Sequence, residues 1–149
     1  MSRYLIVAHD TATNPELIEQ VKAIATDDPT AQFVLLVPAT PVRHLLRRTT
    51  GSEAEAVARK RAEEAKARFA KAGVNLAETR IGGPSPLEAI ADEMRDHPGY
   101  GGFVISTLPA EHSRWLRMDL PQKVEQQYGL PVFHVEANPD QLKYWLPIP

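Results

Sequence analysis

The chain has 149 residues and no cysteine, and its 17 Lys+Arg against 19 Asp+Glu give a net charge of −2. That length fits one domain, and the near-neutral charge excludes a general attraction to nucleic acid or anionic lipid. Disulfides, thiolate nucleophiles and cysteine-ligated zinc are excluded as well. No leader pattern and no apolar run of about 20 residues occurs, which predicts a cytoplasmic protein without a membrane span.

Apolar runs and helical stripes alternate along the first half of the chain. A β-branched run over residues 4–8 predicts a strand buried on both faces. Asn14 followed by Pro15 predicts the start of the first helix. A second buried strand is expected over residues 33–37, and the prolines after it predict a loop over residues 39–50.

The central segment carries clear helix boundaries. Ser52 begins a capping box and predicts a long helix that Gly73 ends. Residues 74–81 alternate apolar and polar side chains, which predicts a strand near a sheet edge. A second capping box, Ser85 to Glu88 with Pro86 between them, predicts the third helix.

The last third repeats the alternation. A strand is predicted over residues 103–105, Asp119 is the expected N-cap of a fourth helix that Gly129 ends, and Val132–Val135 is the last strand. This order predicts an α/β domain with a five-stranded parallel sheet and helices on both faces. The expected architecture is flavodoxin-like or Rossmann-like, with strand order 3-2-1-4-5.

One domain over residues 1–137 accounts for these elements, and residues 138–149 form a C-terminal tail. The tail contains several large apolar residues among prolines: Tyr144, Trp145, Leu146 and Ile148. This apolar content is too high for a segment that is simply exposed to solvent. We expect it to dock on its own subunit or on a partner subunit, where it would cover a sheet edge.

The expected crevice lies where the first and fourth strands end side by side. His9-Asp10 would then meet Ser106-Thr107 at the carboxyl edge of the sheet. The loop that follows adds donors suited to an anion such as phosphate: His112, Ser113, Arg114 and Arg117. In the alternative interpretation Trp115 and its apolar neighbours pack the loop down, while the arginines only face water.

Taken together, these patterns resemble the universal stress proteins. The resemblance is carried by Asp10 and Val37 at the ends of the first two strands, by RIGGPSPLEAI entering the third helix, and by the closing GLPVFHV. It implies the same five-stranded fold, a homodimer paired through Val132–Val135 and the tail, and adenosine contacts at Asp10 and Val37. One branch of that family binds ATP.

The ATP-binding branch uses Gly-x-x-Gly, about nine residues and then Gly-Ser or Gly-Thr after the fourth strand. The stretch from Ser106 to Asp119 contains no glycine, so the chain is identified as a divergent member. Side chains at those positions obstruct a close approach of backbone N–H groups to phosphates. A capping carboxylate at Asp119 would also place negative charge where a phosphate would rest.

The resulting hypothesis is a domain that binds a small anionic ligand, with ATP or another adenine nucleotide as the candidate, and that acts by binding rather than by robust catalysis. One alternative is a dimeric interaction or regulatory module with no nucleotide. A hydrolase is the enzymatic rival, because Ser106 or Ser113, His112, and Asp10 or Asp119 include the residue types of a catalytic triad, although no G-x-S-x-G turn is present.

Two further classes fit poorly. A receiver domain needs an aspartate after the third strand and a lysine after the fifth, and neither residue is present. The five histidines lack a metal-ligand spacing, so we expect no metal site.

Overall fold

The computed structural model describes residues 2–40, 43–44, 47–48, 51–109 and 113–137. The elements in chain order are β1 (Arg3–Val7), α1 (Pro15–Asp27), β2 (Gln32–Pro38), β3 (Arg43–His44), β4 (Arg47–Arg48), α2 (Gly51–Lys71), β5 (Glu78–Gly82), α3 (Pro86–Asp96), β6 (Gly102–Thr107), α4 (Arg114–Arg117), α5 (Leu120–Tyr128) and β7 (Val132–Glu136).

The main sheet has five strands in the order β5-β2-β1-β6-β7, and every pairing is parallel. Numbered among themselves, these five strands follow the order 3-2-1-4-5, so the predicted topology is confirmed. β1 lies in the centre, with Val7 opposite Leu36 on one side and Ile105 on the other. Its three innermost residues are fully buried, as expected of a strand covered on both faces.

Helices cover both faces and divide the core into two layers. Buried residues of α1 and α2, such as Val21 and Phe69, pack against one face of the sheet. Buried residues of α3 and α5, such as Ile90 and Val124, pack against the other. Within the described residues, no helix is both long and apolar enough to cross a membrane.

Several predicted boundaries are confirmed at the level of hydrogen bonds. Asn14 Oδ1 accepts from the Glu16 N–H at 3.1 Å and caps α1. Ser85 Oγ accepts from the Glu88 N–H and caps α3, with Pro86 in the first turn. Gly73 and Gly129 follow their helices with φ of +91° and +63°, which a residue with a Cβ rarely adopts.

Two predictions in the middle of the chain are wrong in detail. α2 begins at Gly51, so Ser52 lies inside the helix rather than capping it. The strand predicted over residues 74–81 begins only at Glu78, because the Val74 N–H donates to Phe69 O and completes the end of α2.

The connection predicted as a plain loop over residues 39–50 includes the two short strands β3 and β4, which pair antiparallel. The rest of that segment from residue 41 onward lies outside the described residues, as does the predicted tail over residues 138–149.

Candidate functional site

The candidate site lies at the carboxyl ends of β1 and β6, where the strand order reverses. β1 leads to β2 on one side, whereas the chain returns to β6 on the other side of β1. Loops that leave neighbouring strands in opposite directions open a crevice, and ligands of open α/β sheets bind there. The residues that follow β1 and those that end β6 therefore border the same space.

The loop after β1 is polar and largely buried. His9 Nδ1 lies 3.1 Å from Asp10 Oδ1, and the His9 side chain is 8% exposed against 29% for Asp10. Asp10 is therefore the more accessible member of this pair. The Asp10 carboxylate accepts a hydrogen bond from the Nδ1–H, and this contact orients the His9 ring.

The loop after β1 is tied to β6 by hydroxyl groups. Thr11 Oγ1 and Ser106 Oγ lie 2.6 Å apart, and both residues are buried. The next hydroxyl, that of Thr107, lies 2.8 Å from His134 Nε2 on β7. The predicted meeting of the two strand ends is thus formed, and each of the two β6 hydroxyls already has a protein partner.

The start of the loop after β6 differs from the expectation in its local structure. Ser113 Oγ accepts from the Leu116 N–H at 3.1 Å and caps the four-residue helix α4, which the sequence analysis missed. Trp115 is buried beneath this turn, whereas Arg114 and Arg117 are exposed. Neither arginine forms an ion pair with a residue that the structure describes, so their guanidinium donors are open to an anion.

Asp119 does not have the role predicted for it. Its side chain makes no capping hydrogen bond to α5, and its backbone has a φ of +53° in the left-handed region. Aspartate tolerates that conformation better than most residues with a side chain. The Asp119 carboxylate therefore lies next to the start of α5 without capping it.

Val37 lies at the end of β2, and its side chain is fully buried in the layer beneath α1 and α2. In this structure it is therefore a core residue, and its predicted adenosine contact stays a prediction.

Arg61 is a neighbour of the site that sequence reasoning missed. This residue of α2 places Nη2 3.8 Å from Asp10 Oδ1, a distance at which charges attract without a hydrogen bond. Arg61 directly precedes Ala62, which is buried against the sheet. Its position beside the buried face of α2 could be inferred from the sequence. Which strand end the Arg61 side chain reaches, however, follows only from the order of the strands in the sheet.

The pKa of His134 is shifted by its surroundings. Burial lowers the pKa of its imidazole below 6.5, and the nearby charge of Glu136 opposes that change. The neutral ring therefore prevails near pH 7, and the Thr107 hydroxyl donates to or accepts from Nε2 according to the tautomer.

The residues considered for a catalytic triad lie partly outside the described part of the chain. Ser106 bonds to Thr11, Ser113 caps α4, and His112 lies outside the described residues. In the part of the chain that the structure describes, no serine hydroxyl bonds to a histidine. The same residues contain no group of three His, Asp or Glu side chains placed to hold a metal ion.

Comparison by fold links this architecture to known proteins. A universal stress protein in complex with cAMP superposes with a TM-score of 0.64 at 14% identity, covering 92% of this chain and 98% of its own. The chain has the universal stress protein fold. A family protein from Burkholderia pseudomallei gives a TM-score of 0.59 at 14% identity, with 90% of this chain and 95% of that chain covered.

A third universal stress protein structure, from Arabidopsis thaliana with AMP bound, gives a TM-score of 0.57 at 11% identity and covers 95% of both chains. No protein-family model matches the sequence, and no curated protein matches it either. The universal stress protein fold is thus shared at a sequence identity too low to transfer site residues.

Proposed function

We propose that this chain is a small-ligand-binding domain whose ligand is an adenine nucleotide, and that it acts by binding rather than by robust catalysis. The observation that carries the proposal is the polar cluster of Asp10, Thr11 and Ser106 at the switch point of the sheet. Two neighbours by fold were solved with cAMP and AMP. The switch point of an open α/β sheet is where such a ligand is expected to bind.

Each predicted site residue has a role in this proposal. Asp10 accepts a hydrogen bond from the ribose or base, and Val37 borders the base. On binding, the hydroxyls of Ser106 and Thr107 donate to the ligand in place of their protein partners, and the Ser113 O–H donates while its oxygen still caps α4. Arg114, with Arg117 beside it, neutralises the charge of the phosphate.

The donor set favours a nucleotide with one phosphate over ATP. All three site hydroxyls have a partner within the protein, which leaves the exposed Arg114 and Arg117 as the open donors of the loop. A triphosphate needs a longer cradle of backbone N–H groups, and the stretch from Ser106 to Asp119 has no glycine to form one. AMP or cAMP should therefore bind more tightly than ATP.

Calorimetric titration of the full chain with AMP, cAMP and ATP tests the proposal. We expect saturable heat with AMP or cAMP, a weaker signal with ATP, and a loss of affinity of about tenfold in Asp10→Ala. Asp96→Ala, an exposed aspartate at the end of α3, is the matched control and should bind as the unaltered chain does. Absence of heat and of a thermal shift with every nucleotide would refute the proposal.

A dimeric module is the second candidate function, and the edge strand β7 favours it. Phe133 lies on this edge strand, and this large apolar side chain is 36% exposed to solvent. We propose a homodimer paired through Val132–Val135, with the tail over residues 138–149 docked on its own or the partner subunit. An exposed edge strand offers unpaired backbone groups to a second chain.

Light scattering distinguishes these arrangements. Phe133→Lys should convert a dimer into a monomer, whereas removal of residues 138–149 should do so only if the tail crosses to the partner. A monomer in the unaltered full chain would refute the dimer. We also propose a cytoplasmic location, which the lack of cysteine supports, and which fractionation of cells producing the protein would check.

A further inference from the structure

Arg61 reaches the switch point of the sheet from α2, yet it forms no hydrogen bond with any residue that the structure describes. Its Nη2 lies 3.8 Å from Asp10 Oδ1, which is beyond hydrogen-bond distance, and its Nε is buried without a partner. Buried side-chain donors are nearly always paired. The guanidinium is therefore held beside the loop after β1 with donors that no described residue occupies.

Both partners of the contact between Asp10 and Arg61 are accessible from solvent. The side chain of Asp10 is 29% exposed and that of Arg61 is 33% exposed. A dissolved molecule can therefore reach the carboxylate and the guanidinium without a change in the packing of β1 or α2.

Arg61 and the two arginines of α4 approach the switch point from opposite faces of the sheet. Ala62, the neighbour of Arg61 in α2, belongs to the core layer on one face, whereas Trp115 of α4 belongs to the layer on the other. Arg114 and Arg117 are exposed beside Trp115. Cationic side chains therefore border the crevice on both sides, and a phosphate between them would meet donors from either side.

Asp10 alone would repel a phosphorylated ligand. A carboxylate that accepts a hydrogen bond from the ribose lies close to the phosphate of the same nucleotide, and like charges at short range disfavour binding. At 3.8 Å the charge of Arg61 offsets that of Asp10. The N–H donors of its guanidinium also match the oxygens of a phosphate. The two side chains together suit a ligand that carries a hydroxyl group and an anion.

We propose that Arg61 determines the charge specificity of the site: its guanidinium donates to the phosphate of the ligand and offsets the charge of Asp10, so that the nucleoside monophosphate is preferred over the nucleoside. This inference rests on the proposed binding of an adenine nucleotide. In the alternative, Arg61 only ties α2 to the loop after β1, and its substitution changes stability without changing the preference.

The test compares AMP with adenosine, which lacks the phosphate. Arg61→Gln removes the charge and keeps a polar side chain, whereas Arg61→Lys keeps the charge without the planar set of donors. Arg59→Gln is the matched control, because Arg59 lies on the same helix, is exposed and pairs with Glu55 at 2.9 Å.

Calorimetry of the full chain should show that AMP binds at least about tenfold more tightly than adenosine, both in the unaltered chain and in Arg59→Gln. Arg61→Gln should weaken AMP binding about tenfold with little change for adenosine, and Arg61→Lys should give an intermediate loss. Raising the salt concentration from about 0.1 M to about 1 M shortens the Debye length from about 10 Å to about 3 Å. This change should reduce the preference for AMP more in the unaltered chain than in Arg61→Gln.

A double variant tests the offset of charge between the two side chains. Asp10→Asn keeps an oxygen that accepts from the ribose but removes the negative charge, so adding it to Arg61→Gln should recover part of the lost AMP affinity. An unchanged ratio of AMP to adenosine affinity in Arg61→Gln would overturn the inference, whatever the stability of that variant, and would leave the proposed function standing. Failure of the unaltered chain to bind any nucleotide would overturn both.

Discussion

At the amino end of the sheet, the buried carboxylate of Glu93 accepts hydrogen bonds from the Tyr100 hydroxyl at 2.6 Å and from Arg80 Nε at 2.9 Å. Arg3 covers the face of the Tyr100 ring at 4.4 Å and donates to the backbone at the end of α3. At the carboxyl end, by contrast, His9 and Asn14 each leave a buried polar atom unpaired.

The difference separates a structural network from a site. A buried carboxylate such as that of Glu93, whose Oε2 accepts from two donors, stabilises the position of the elements that carry the three residues: α3, β5 and the approach to β6. Buried polar atoms without partners reduce stability instead. Substitutions at the amino end should therefore lower the stability of the protein, whereas substitutions at the carboxyl end should lower its affinity for the proposed ligand.

Removal of the central carboxylate should have the largest effect. Glu93→Ala leaves the Tyr100 hydroxyl and the Arg80 guanidinium without their shared acceptor, and we expect a loss of about 3 kcal/mol in the free energy of unfolding. Urea denaturation measures this loss. Affinity for AMP at the other end of the sheet should stay unchanged, and an equal loss in both quantities would contradict the separation of the two ends.

A tight contact at the carboxyl edge, away from the switch point, should give the next largest effect. A Cβ on Gly82 would lie 2.6 Å from Ala89 Cβ, so Gly82→Ala forces α3 away from β5. We expect a destabilisation of about 2 kcal/mol. Gly83→Ala is the matched control, because a Cβ there meets no atom within 4 Å. Similar denaturation curves for the two variants would show that α3 moves away from β5 without a loss of stability.

Alkaline pH should weaken the amino end specifically. Burial, and then the bond to Glu93, raise the pKa of the Tyr100 hydroxyl above its usual 10.0. The folded state thus keeps a proton that the unfolded state releases, so the contribution is intact below about pH 10 and is lost as the pH rises above it.

Urea unfolding at about pH 9 and about pH 11 should show this loss in the unaltered chain. Tyr100→Phe has no hydroxyl to titrate, so its decline over the same interval should be smaller by about 1 kcal/mol. Equal losses of stability in the unaltered chain and in Tyr100→Phe would show that a group other than Tyr100 causes the sensitivity to alkaline pH.

The smallest expected effect concerns His134, where the edge strand meets the site. Since burial lowers its pKa, the unfolded state binds a proton more readily, and stability should fall slightly as the pH drops below 6.5. An NMR titration should give a midpoint below 6.5 for this ring. Glu136→Gln removes the charge that opposes the shift and should lower the midpoint further; a rise would contradict the assigned cause.

The fold was predictable from sequence because its signals are local and agree with one another. The apolar run of β1, the Asn14 and Ser85 caps and the glycines after α2 and α5 each mark an element, and their alternation leaves few topologies. The predicted boundaries were wrong where tertiary contacts determine the residue at which an element begins or ends. Val74 completes the end of α2 instead of starting a strand, which the alternating pattern from Val74 onward could not show.

The site was predictable only in its location. The meeting of the Asp10 loop with Ser106 follows from strand order, but the partners of each side chain do not. Ser113 preceding a short helix and Asp119 with a positive φ look alike in sequence, since both residue types favour caps and turns. Arg61 and the unpaired atom of His9 depend on the packing of α2 and α1 against β1, and no local pattern records that packing.

The central position of β1 also governs how the chain folds during synthesis. β1 is made first, but its second neighbour, β6, begins at Gly102. Until the ribosome has released β6, the central strand β1 has an open edge beside its buried apolar residues, a condition that favours association between nascent chains. We therefore expect fragments that end before β6 to aggregate, and the dependence on so distant a pairing to slow folding.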